Sequence, residues 1–506
     1  MSGAPFVVQN PAEAVQWLRD RVSNGTLQTD SRQVKPGDAF IAWPGGVSDG
    51  RAYVAQAVER GAVACLVELA GAEQFDFEGL PVAAMQSLKA ATGAIADEWF
   101  AEPSSTLEVM AVTGTNGKTS ISWWLAQAVT HLCDAKVFPH RGCAMVGTLG
   151  VGIPPHQLTV TGMTTPDPVL LQRAFRGFVN AGYGACAIEA SSIGIVEHRL
   201  AGTRIKLAIF TNFTQDHLDY HGSMEAYWAS KRELFSWSGL QAAVVNVDDS
   251  KGAELAQTLA ASALDVWTVS LHAVSQARLT AQAVRNGARG LVFDVVEAGQ
   301  SVTLHSQVIG QYNVLNLLEV IASLRVLGAS LQQAVDACAG LVAVAGRMEQ
   351  VTEAGAPLVA VDYSHTPDAL DKALQALRPL AQLRGGKLWC VFGCGGNRDA
   401  AKRPQMGRIA QDLADEVIVT SDNPRHEQPQ AIIDDIVRGM SPTAHWHVQA
   451  DRAAAIDEAV SRAASNDVVL VAGKGHEDYQ EIAGIKYPFL DTAQAKASLA
   501  KRKVEL

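Results

Sequence analysis

Lys118 and Thr119 end a small-residue segment, TGTNGKTS (113–120), that directly follows the apolar run Val109–Val112. Gly114, Thr115, Asn116 and Gly117 are small enough for backbone N–H groups to close around phosphate oxygens. Lys118 supplies a point charge, and the Thr119 hydroxyl can reach Mg2+. The spacing is shorter than in the common GxxxxGKS/T loop. The order of parts is still the required one, because the amphipathic stretch Ser120–His131 would turn its positive N-terminal end toward the phosphates. This predicts ATP or GTP binding; the alternative is a structural turn.

Further polar groups could act on that phosphate. Glu189 opens EASS, His217 lies in TQDHLDYH, and Lys231 sits on a predicted helix, Met224–Phe235. Thr119, Glu189 and His217 could ligate Mg2+, with carboxylate oxygens bridging metal and γ-phosphate. Equally, Asp216 and His217 could only tie down a loop. In VDYSHTPDAL, His365 could touch a nucleotide or cap a helix that starts at the Thr-Pro pair. Asn313 and Asn316, at i and i+3 ahead of an apolar helix, could read an adenine edge or serve as a cap and a solvated Asn. Arg398, Asn423, Arg425, Lys474 and Glu477 combine guanidinium forks, which match carboxylates, with an acid that would suit an ammonium. They describe a zwitterionic amino acid, or else structural ion pairs.

The elements that must hold these groups follow one rule. Nearly every unusual polar cluster stands directly after an apolar run: TGTNGKTS, EASS, TNFTQDHLDYH, GCGGNRD, SDNPR and GKGHED. In open α/β sheets, ligands bind beyond the carboxyl ends of the strands. The expected class is therefore α/β. It comprises a small N-terminal α/β domain (1–105), a central doubly wound domain (106–345) and a C-terminal Rossmann-like domain (346–506). Ala101–Ser105 and the Gly/Ala-rich stretch 335–346 are the expected hinges. For 506 residues, about three domains is the usual number.

Composition excludes other classes. The net charge of −11, with no Lys/Arg run, argues against nucleic acid as the main partner. Seven scattered Cys without a CxxC pair suggest buried thiols rather than zinc or disulfides. With no charged start before an apolar stretch and no apolar run of spanning length, the expectation is a cytoplasmic protein that binds no membrane.

Together, TGTNGKTS, TTPDP (164–168), EASS, TNFTQDHLDYHGSMEAYWASK (211–231), GQYNVLN, GRME (346–349), DYSHTPDAL, GCGGNRDAAKRP, SDNPR and GKGHEDYQ resemble the Mur ligase family, in order and across all three expected domains. The resemblance is strongest to members that add meso-diaminopimelate to UDP-N-acetylmuramoyl-L-Ala-D-Glu in peptidoglycan synthesis. It implies a central ATPase-like sheet, ATP and Mg2+ as cofactors, an acyl-phosphate intermediate and, as the expected state, a monomer. It implies catalytic roles for Lys118, Glu189, His217 and Lys231, with Thr119, Glu189, His217 and a carbamylated Lys231 on the metal. It assigns Asn313, Arg347 and His365, with the loop, to ATP. Ser31, Thr164, Thr165, Ser191 and Arg199 fall to the nucleotide sugar and its dipeptide. Arg398, Asn423, Arg425, Gly473 and Glu477 fall to diaminopimelate, Arg425 facing the distal carboxylate and Glu477 the distal ammonium.

The chain departs from the family pattern at Ile193, where a His is common, and at Glu197, where Gln is expected. The second departure questions one polar contact to an anionic substrate. Residues 135–145 read as an inserted surface loop near the nucleotide. Rival readings are a lysine-adding or folylpolyglutamate-synthase-like ligase, against which SDNPR and the DSR segment at Ser31 count. From another class, a nucleotide-dependent switch or binding protein would not need both acceptor and amine.

Overall fold

The computed structural model describes residues 5–45, 48–155, 157–272, 276–286, 290–442 and 445–502. It contains three large sheets in chain order and a small hairpin, Tyr479–Ile482 with Ile485–Pro488. The first sheet is parallel throughout, with strands 6–7, 82–85, 64–68, 39–42 and 27–28 side by side.

The second sheet is eleven-stranded and carries the phosphate-loop segment on its central strand. Glu108–Thr113 lies between Ala185–Glu189 and Leu207–Phe210, parallel to both. The next strand in the chain, Cys143–Gly147, sits beyond Ala185–Glu189. The loop therefore opens at a topological switch point, where a crevice forms at the carboxyl edge. Pleating divides the strand's side chains between two cores. Met110 and Val112 pack with the helices Lys118–Asp134 and Tyr312–Val326, while Val109 and Ala111 pack against Phe175, Phe210 and Trp228. Burial on both faces explains why these strands read as continuous apolar runs.

In the third sheet, Leu358–Asp362, Val468–Ala472, Leu388–Phe392, Glu416–Val419 and Trp446–Val448 run parallel in that spatial order, with Glu349–Val351 antiparallel at the edge. The chain passes from 358–362 to 388–392 before 468–472 fills the gap, which is a second switch point. Among the described residues no helix is long and apolar enough to cross a membrane. All seven cysteines are buried and unbonded.

Three expectations change. The second hinge is shorter than the Gly/Ala content suggests, because Leu331–Ala339 is a helix held by a Ser330–Gln333 capping box; only residues after it form a loop. Asn313 and Asn316 lie inside the helix Tyr312–Val326 rather than ahead of it. The stretch 135–145 is not a loop beside the nucleotide. Cys143–Gly147 is a buried strand of the central sheet, and residues 135–142 lead into its amino end, where the His140 ring lies against Gly184. The phosphate loop leaves the opposite, carboxyl end of that sheet.

One buried ion pair braces the third sheet. Arg452 and Asp491 have fully buried side chains, joined at 2.8 Å (Nε to Oδ1) and 2.7 Å (Nη2 to Oδ2). The guanidinium also donates to the Ala472 and Ser421 carbonyls, at the start of the GKGHED and SDNPR segments. Removing only the acid leaves a buried, uncompensated cation, which costs about 3–5 kcal/mol. Asp491→Ala should therefore lower the chain's first denaturant transition by that amount, while Arg452→Met with Asp491→Leu should cost much less. Equal losses in the single and double variants would show that packing, not charge, holds this corner.

Candidate active site

At the end of the central strand, backbone geometry excludes all residues but glycine twice. Gly114 has φ +143°, and a Cβ there would lie 1.9 Å from Thr211 Oγ1. Gly117 has φ +91°, and its Cβ would meet Asn316 Oδ1 at 2.8 Å. Gly117 is the residue before the helix Lys118–Asp134 and has no side chain to cap it, so the first-turn N–H groups are left for an anion. The loop is pinned from the neighbouring strand end. Thr115 N–H donates to the Asn212 carbonyl (2.8 Å), Asn116 N–H to Asn212 Oδ1 (2.9 Å), and Thr211 Oγ1 to the Asn116 carbonyl (2.6 Å).

Two ammonium groups meet at one carbonyl. Lys118 Nζ donates to Gly114 O (2.9 Å) and Thr115 O (2.8 Å), and Lys231 Nζ, from the helix Met224–Glu233, donates to Gly114 O at 2.7 Å. Lys231 is fully buried over the Tyr227 ring. Burial, and then the charge of Lys118, push the Lys231 amine well below the ordinary lysine value. Burial lowers Lys118 as well, against the pull of Glu189 and Asp216.

Across the loop, Thr119 Oγ1 donates to Glu189 Oε2 at 3.0 Å. Thr148 donates to the same carboxylate through its N–H (2.8 Å) and hydroxyl (3.1 Å). Burial raises the Glu189 carboxyl despite Lys118 and these donors. A carboxylate and a hydroxyl side by side are hard oxygen donors suited to Mg2+. Among the described residues no group of three or more His, Cys, Asp or Glu is placed to hold a metal. His217 lines the same cavity with φ +52°, its Nε2 3.5 Å from Asp216 Oδ2, while Lys231 is engaged with Gly114. Such a metal would need phosphate oxygens and waters to complete its shell, as Mg2+ sites usually do.

Thr164, Thr165, Ser191 and Arg199 form one connected set beside Glu189. Thr164 Oγ1 is 3.0 Å from Thr148 Oγ1, Thr165 Oγ1 donates to the Glu189 carbonyl (2.7 Å), Ser191 Oγ is 3.0 Å from Thr165 Oγ1, and Arg199 donates to Thr165 O. Ser31 is buried in the N-terminal part, its hydroxyl 3.4 Å from Gln56 Oε1, and is not among the residues lining this cavity. Glu197 is fully engaged: Lys89 of the N-terminal part and the Tyr220 hydroxyl both reach its carboxylate. The departure at this position thus builds a bridge between the first two sheets. Ile193 is half-buried on the short helix Ser192–Val196.

The third sheet closes the cavity from above. Asp368 Oδ2 accepts from Asn116 Nδ2 (2.9 Å), and Arg347 Nη2 reaches Thr119 Oγ1 (3.4 Å) while stacking on Tyr363. Thr366 caps the helix Pro367–Arg384, as the Thr-Pro pair predicts. His365 Nδ1 lies 2.9 Å from the Tyr363 carbonyl, and burial with the nearby Lys402 charge brings its ring down to about 4. The third sheet's own strand ends gather a charged cluster. Asn423 Nδ2 donates to Glu477 Oε2 (2.7 Å), and Lys474 Nζ donates to that same oxygen (3.1 Å) and to Asn423 Oδ1 (3.0 Å). Arg425 (φ +52°) donates to Gly396 O at 2.9 Å and lies 3.7 Å from Glu481. A Cβ on Gly395 would lie 2.9 Å from Arg425 Nη1 and 3.8 Å from Arg398 Cγ, so the two arginine side chains pass the same glycine, while the Arg398 guanidinium donates to the Asn397 carbonyl. Gly473, at φ +122°, lets Asp422 approach where a Cβ would sit 2.4 Å from its carboxylate.

Residues 112–324 match the Mur ligase middle domain, 346–475 the Mur ligase glutamate ligase domain, and 26–98 the Mur ligase family catalytic domain. A UDP-N-acetylmuramoyl-L-alanyl-D-glutamate--2,6-diaminopimelate ligase from Acidovorax sp. (strain JS42) is 61% identical over 490 residues, covering 97% of each chain. This chain belongs to the Mur ligase family. A ligase of the same name from Janthinobacterium sp. (strain Marseille) is 46% identical over 98% of each chain. A solved structure of a ligase so named superposes with a TM-score of 0.64 at 33% identity, covering 94% of this chain and 95% of its own. The three-domain Mur ligase architecture holds here.

Within this Mur ligase fold, several groups around the loop escaped the sequence reading. Thr148 orients Glu189, Asn212 pins the loop, Tyr227 underlies Lys231, Tyr363 stacks on Arg347, and Lys402 donates to the His365 carbonyl at 2.8 Å. Asn212, Tyr227, Tyr363 and Lys402 lie inside segments that carry the family resemblance and Thr148 lies outside them, but the task of each is found only by its contacts.

The buried Lys231 amine has a consequence for stability. In the unfolded chain it titrates near 10.5; in the folded protein its value is lower. The folded state therefore binds fewer protons between its own value and 10.5, so the cost of burying the amine is full below the folded value and fades as pH rises toward 10.5. In CO2-free buffer, Lys231→Met should melt higher than the parent at pH 7, with the gap narrowing by pH 10. A gap that widens with pH would contradict the buried-amine assignment.

Proposed function

We propose that the protein is an ATP-dependent ligase joining meso-2,6-diaminopimelate to UDP-N-acetylmuramoyl-L-alanyl-D-glutamate, acting in the cytoplasm as a monomer. The observation that carries this reading is the 61% identity, over 97% of both chains, to a ligase of that name. In this reading residues 1–105 take the UDP-sugar through Ser31, residues 106–345 take ATP, and residues 346–506 take the amino acid. A γ-carboxylate oxygen of D-Glu attacks the terminal phosphorus of ATP, and ADP leaves. The diaminopimelate amine then attacks the acyl carbon, and the tetrahedral adduct expels phosphate to leave the amide.

Each step asks the chain mainly for position and charge. Gly114–Gly117 and the open helix end hold the phosphates, with Lys118 free to leave its two carbonyls for a phosphate oxygen. Asn313, Arg347 and His365 contact the nucleotide. Thr164, Thr165, Ser191 and Arg199 hold the acceptor dipeptide beside Glu189. Thr119 and Glu189 would hold Mg2+, which when bound neutralises phosphate charge. His217 and Lys231, the latter as a carbamate, would hold a second ion. A lysine with a depressed amine value is the nucleophilic form that CO2 requires, which supports the modification at Lys231.

Arg398, Asn423, Arg425, Gly473 and Glu477 receive diaminopimelate, whose distal carboxylate pairs with Arg425 and whose distal ammonium pairs with Glu477. Lysine would leave the guanidinium without its partner. A missing polar partner costs more selectivity than a missing methylene, on the order of 10⁴-fold in sites built for it.

Phosphate release with ATP, Mg2+ and the nucleotide dipeptide should be strong with meso-diaminopimelate and weak with L-lysine. Release favouring lysine would keep the ligase and remove the Arg425 assignment; release independent of any amine would remove the ligase. Separately, Lys231→Ala should lose at least about 100-fold in rate, the scale of one electrostatic group, and recover part of it with short carboxylic acids. Full activity of Lys231→Ala without additive would exclude the carbamate.

A further inference from the structure

The cavity above the phosphate loop contains a buried carboxyl that the ligase reading leaves without a task. Glu319 lies on the helix Tyr312–Val326 and lines the cavity with Asn313 and Asn316. Spacing of i, i+3 and i+6 keeps the three on one face. The two asparagines are engaged: Asn313 Nδ2 donates to Ile309 O (2.7 Å), and Asn316 Nδ2 donates to Asn313 Oδ1 (2.8 Å). Asn316 Oδ1 lies against Gly117 of the loop.

Glu319 is different. It is 1% exposed, and neither carboxyl oxygen has a hydrogen-bond partner among the described residues. Burial alone drives its carboxyl well above the ordinary range, with no nearby cation to oppose this. A buried carboxyl without partners is costly, and a ligand seated in the cavity would supply them. The phosphates belong at Gly117–Thr119. Glu319 stands three residues, about 4.5 Å of helix rise, beyond Asn316 on the wall of the cavity that the loop opens into.

We propose that Glu319 is a specificity-determining residue for the nucleobase, accepting a hydrogen bond from the exocyclic amine of adenine and donating one to the adjacent ring nitrogen. The inference rests on the ATP reading above. A neutral carboxyl offers one donor and one acceptor side by side, and adenine's N6 amine and N7 present the complementary pair. Guanine shows two acceptors, O6 and N7, at the same edge. A carboxylate there would also repel the triphosphate, so the uncharged form suits the site twice over.

The test is equilibrium binding to the full chain of three non-hydrolysable triphosphates: the ATP analogue, its purine counterpart lacking the exocyclic amine, and the GTP analogue. The parent should bind the ATP analogue about 10-fold or more tightly than either other, the scale of about one well-made hydrogen bond. Glu319→Gln, which keeps a donor and an acceptor, should retain that preference. Glu319→Leu should weaken the ATP analogue about 10-fold more than the purine analogue, which has only the ring-nitrogen bond to lose, so that the preference disappears. Equal weakening of all three, or of none, would overturn the proposal. So would a parent that binds ATP and purine analogues alike, an outcome that does not depend on any variant folding. A parent that binds none of the three removes the ATP reading itself, a distinct result.

Discussion

The carbonyl oxygen of Gly114 accepts from the side-chain nitrogens of two buried lysines at once, and the rest of the centre is arranged around that oxygen. Only glycine can place it there, since Thr211 Oγ1 occupies the space of a Cβ. Two amines held so close, away from water, can both carry charge only if acceptors or anions share it. The loop carbonyls, Glu189 and Asp216 do so in the chain itself. An incoming triphosphate does it better, because it brings several negative oxygens to the same place. Phosphate binding and relief of charge repulsion are thus one event.

The proposed amino-acid site uses the same device with signs mixed. Glu477 is neutralised by Lys474 and oriented by Asn423, while Arg425 is met by Glu481 and a carbonyl. These pairs keep the pocket ordered without ligand. A zwitterion with two charged ends exchanges them for its own carboxylate and ammonium, so little net charge has to be desolvated when it binds. Arg452, pinned by Asp491, holds the two strand ends that carry these groups, which makes the pocket's geometry a property of the sheet rather than of its loops.

What could be read from the chain without coordinates was whatever has a period or a fixed order. Strands buried on both faces are unbroken apolar runs, and the clusters that follow them mark carboxyl ends, so the sheets and the loop Gly114–Thr119 were legible. The stretch 135–145 misled because Cys143–Met145, though apolar, is short and follows polar residues; only pairing with Ala185–Ala187 marks it as a strand. The Gly/Ala content near 335 masked a helix whose cap is a single Ser–Gln pair. Thr148, Asn212 and Tyr227 were invisible for a different reason. The roles of Thr148 and Asn212 come from contacts between residues 41 and 96 positions apart, which no local pattern encodes, and Tyr227, one turn before Lys231 on the same helix, meets the loop only through the Thr115 hydroxyl, 112 positions away.

The contacts between the central and third sheets converge on the phosphate loop itself. Asn116 gives its backbone N–H to Asn212 and its side chain to Asp368; Thr119 touches Glu189 on one side and Arg347 on the other. An acyl phosphate survives only where water is kept out, and the third sheet supplies that cover. Because the cover is fastened to the same residues that grip phosphate, it is sensitive to what the loop holds. A charge arriving beside Thr119 changes the field at Arg347, and any shift of Asn116 reaches Asp368 and the helix Pro367–Arg384. In the proposed function the loop is thus the place where the state of the nucleotide would be coupled to the position of the third sheet. That is the coupling a ligase needs if the amine is to meet the activated acid only after the acid has formed.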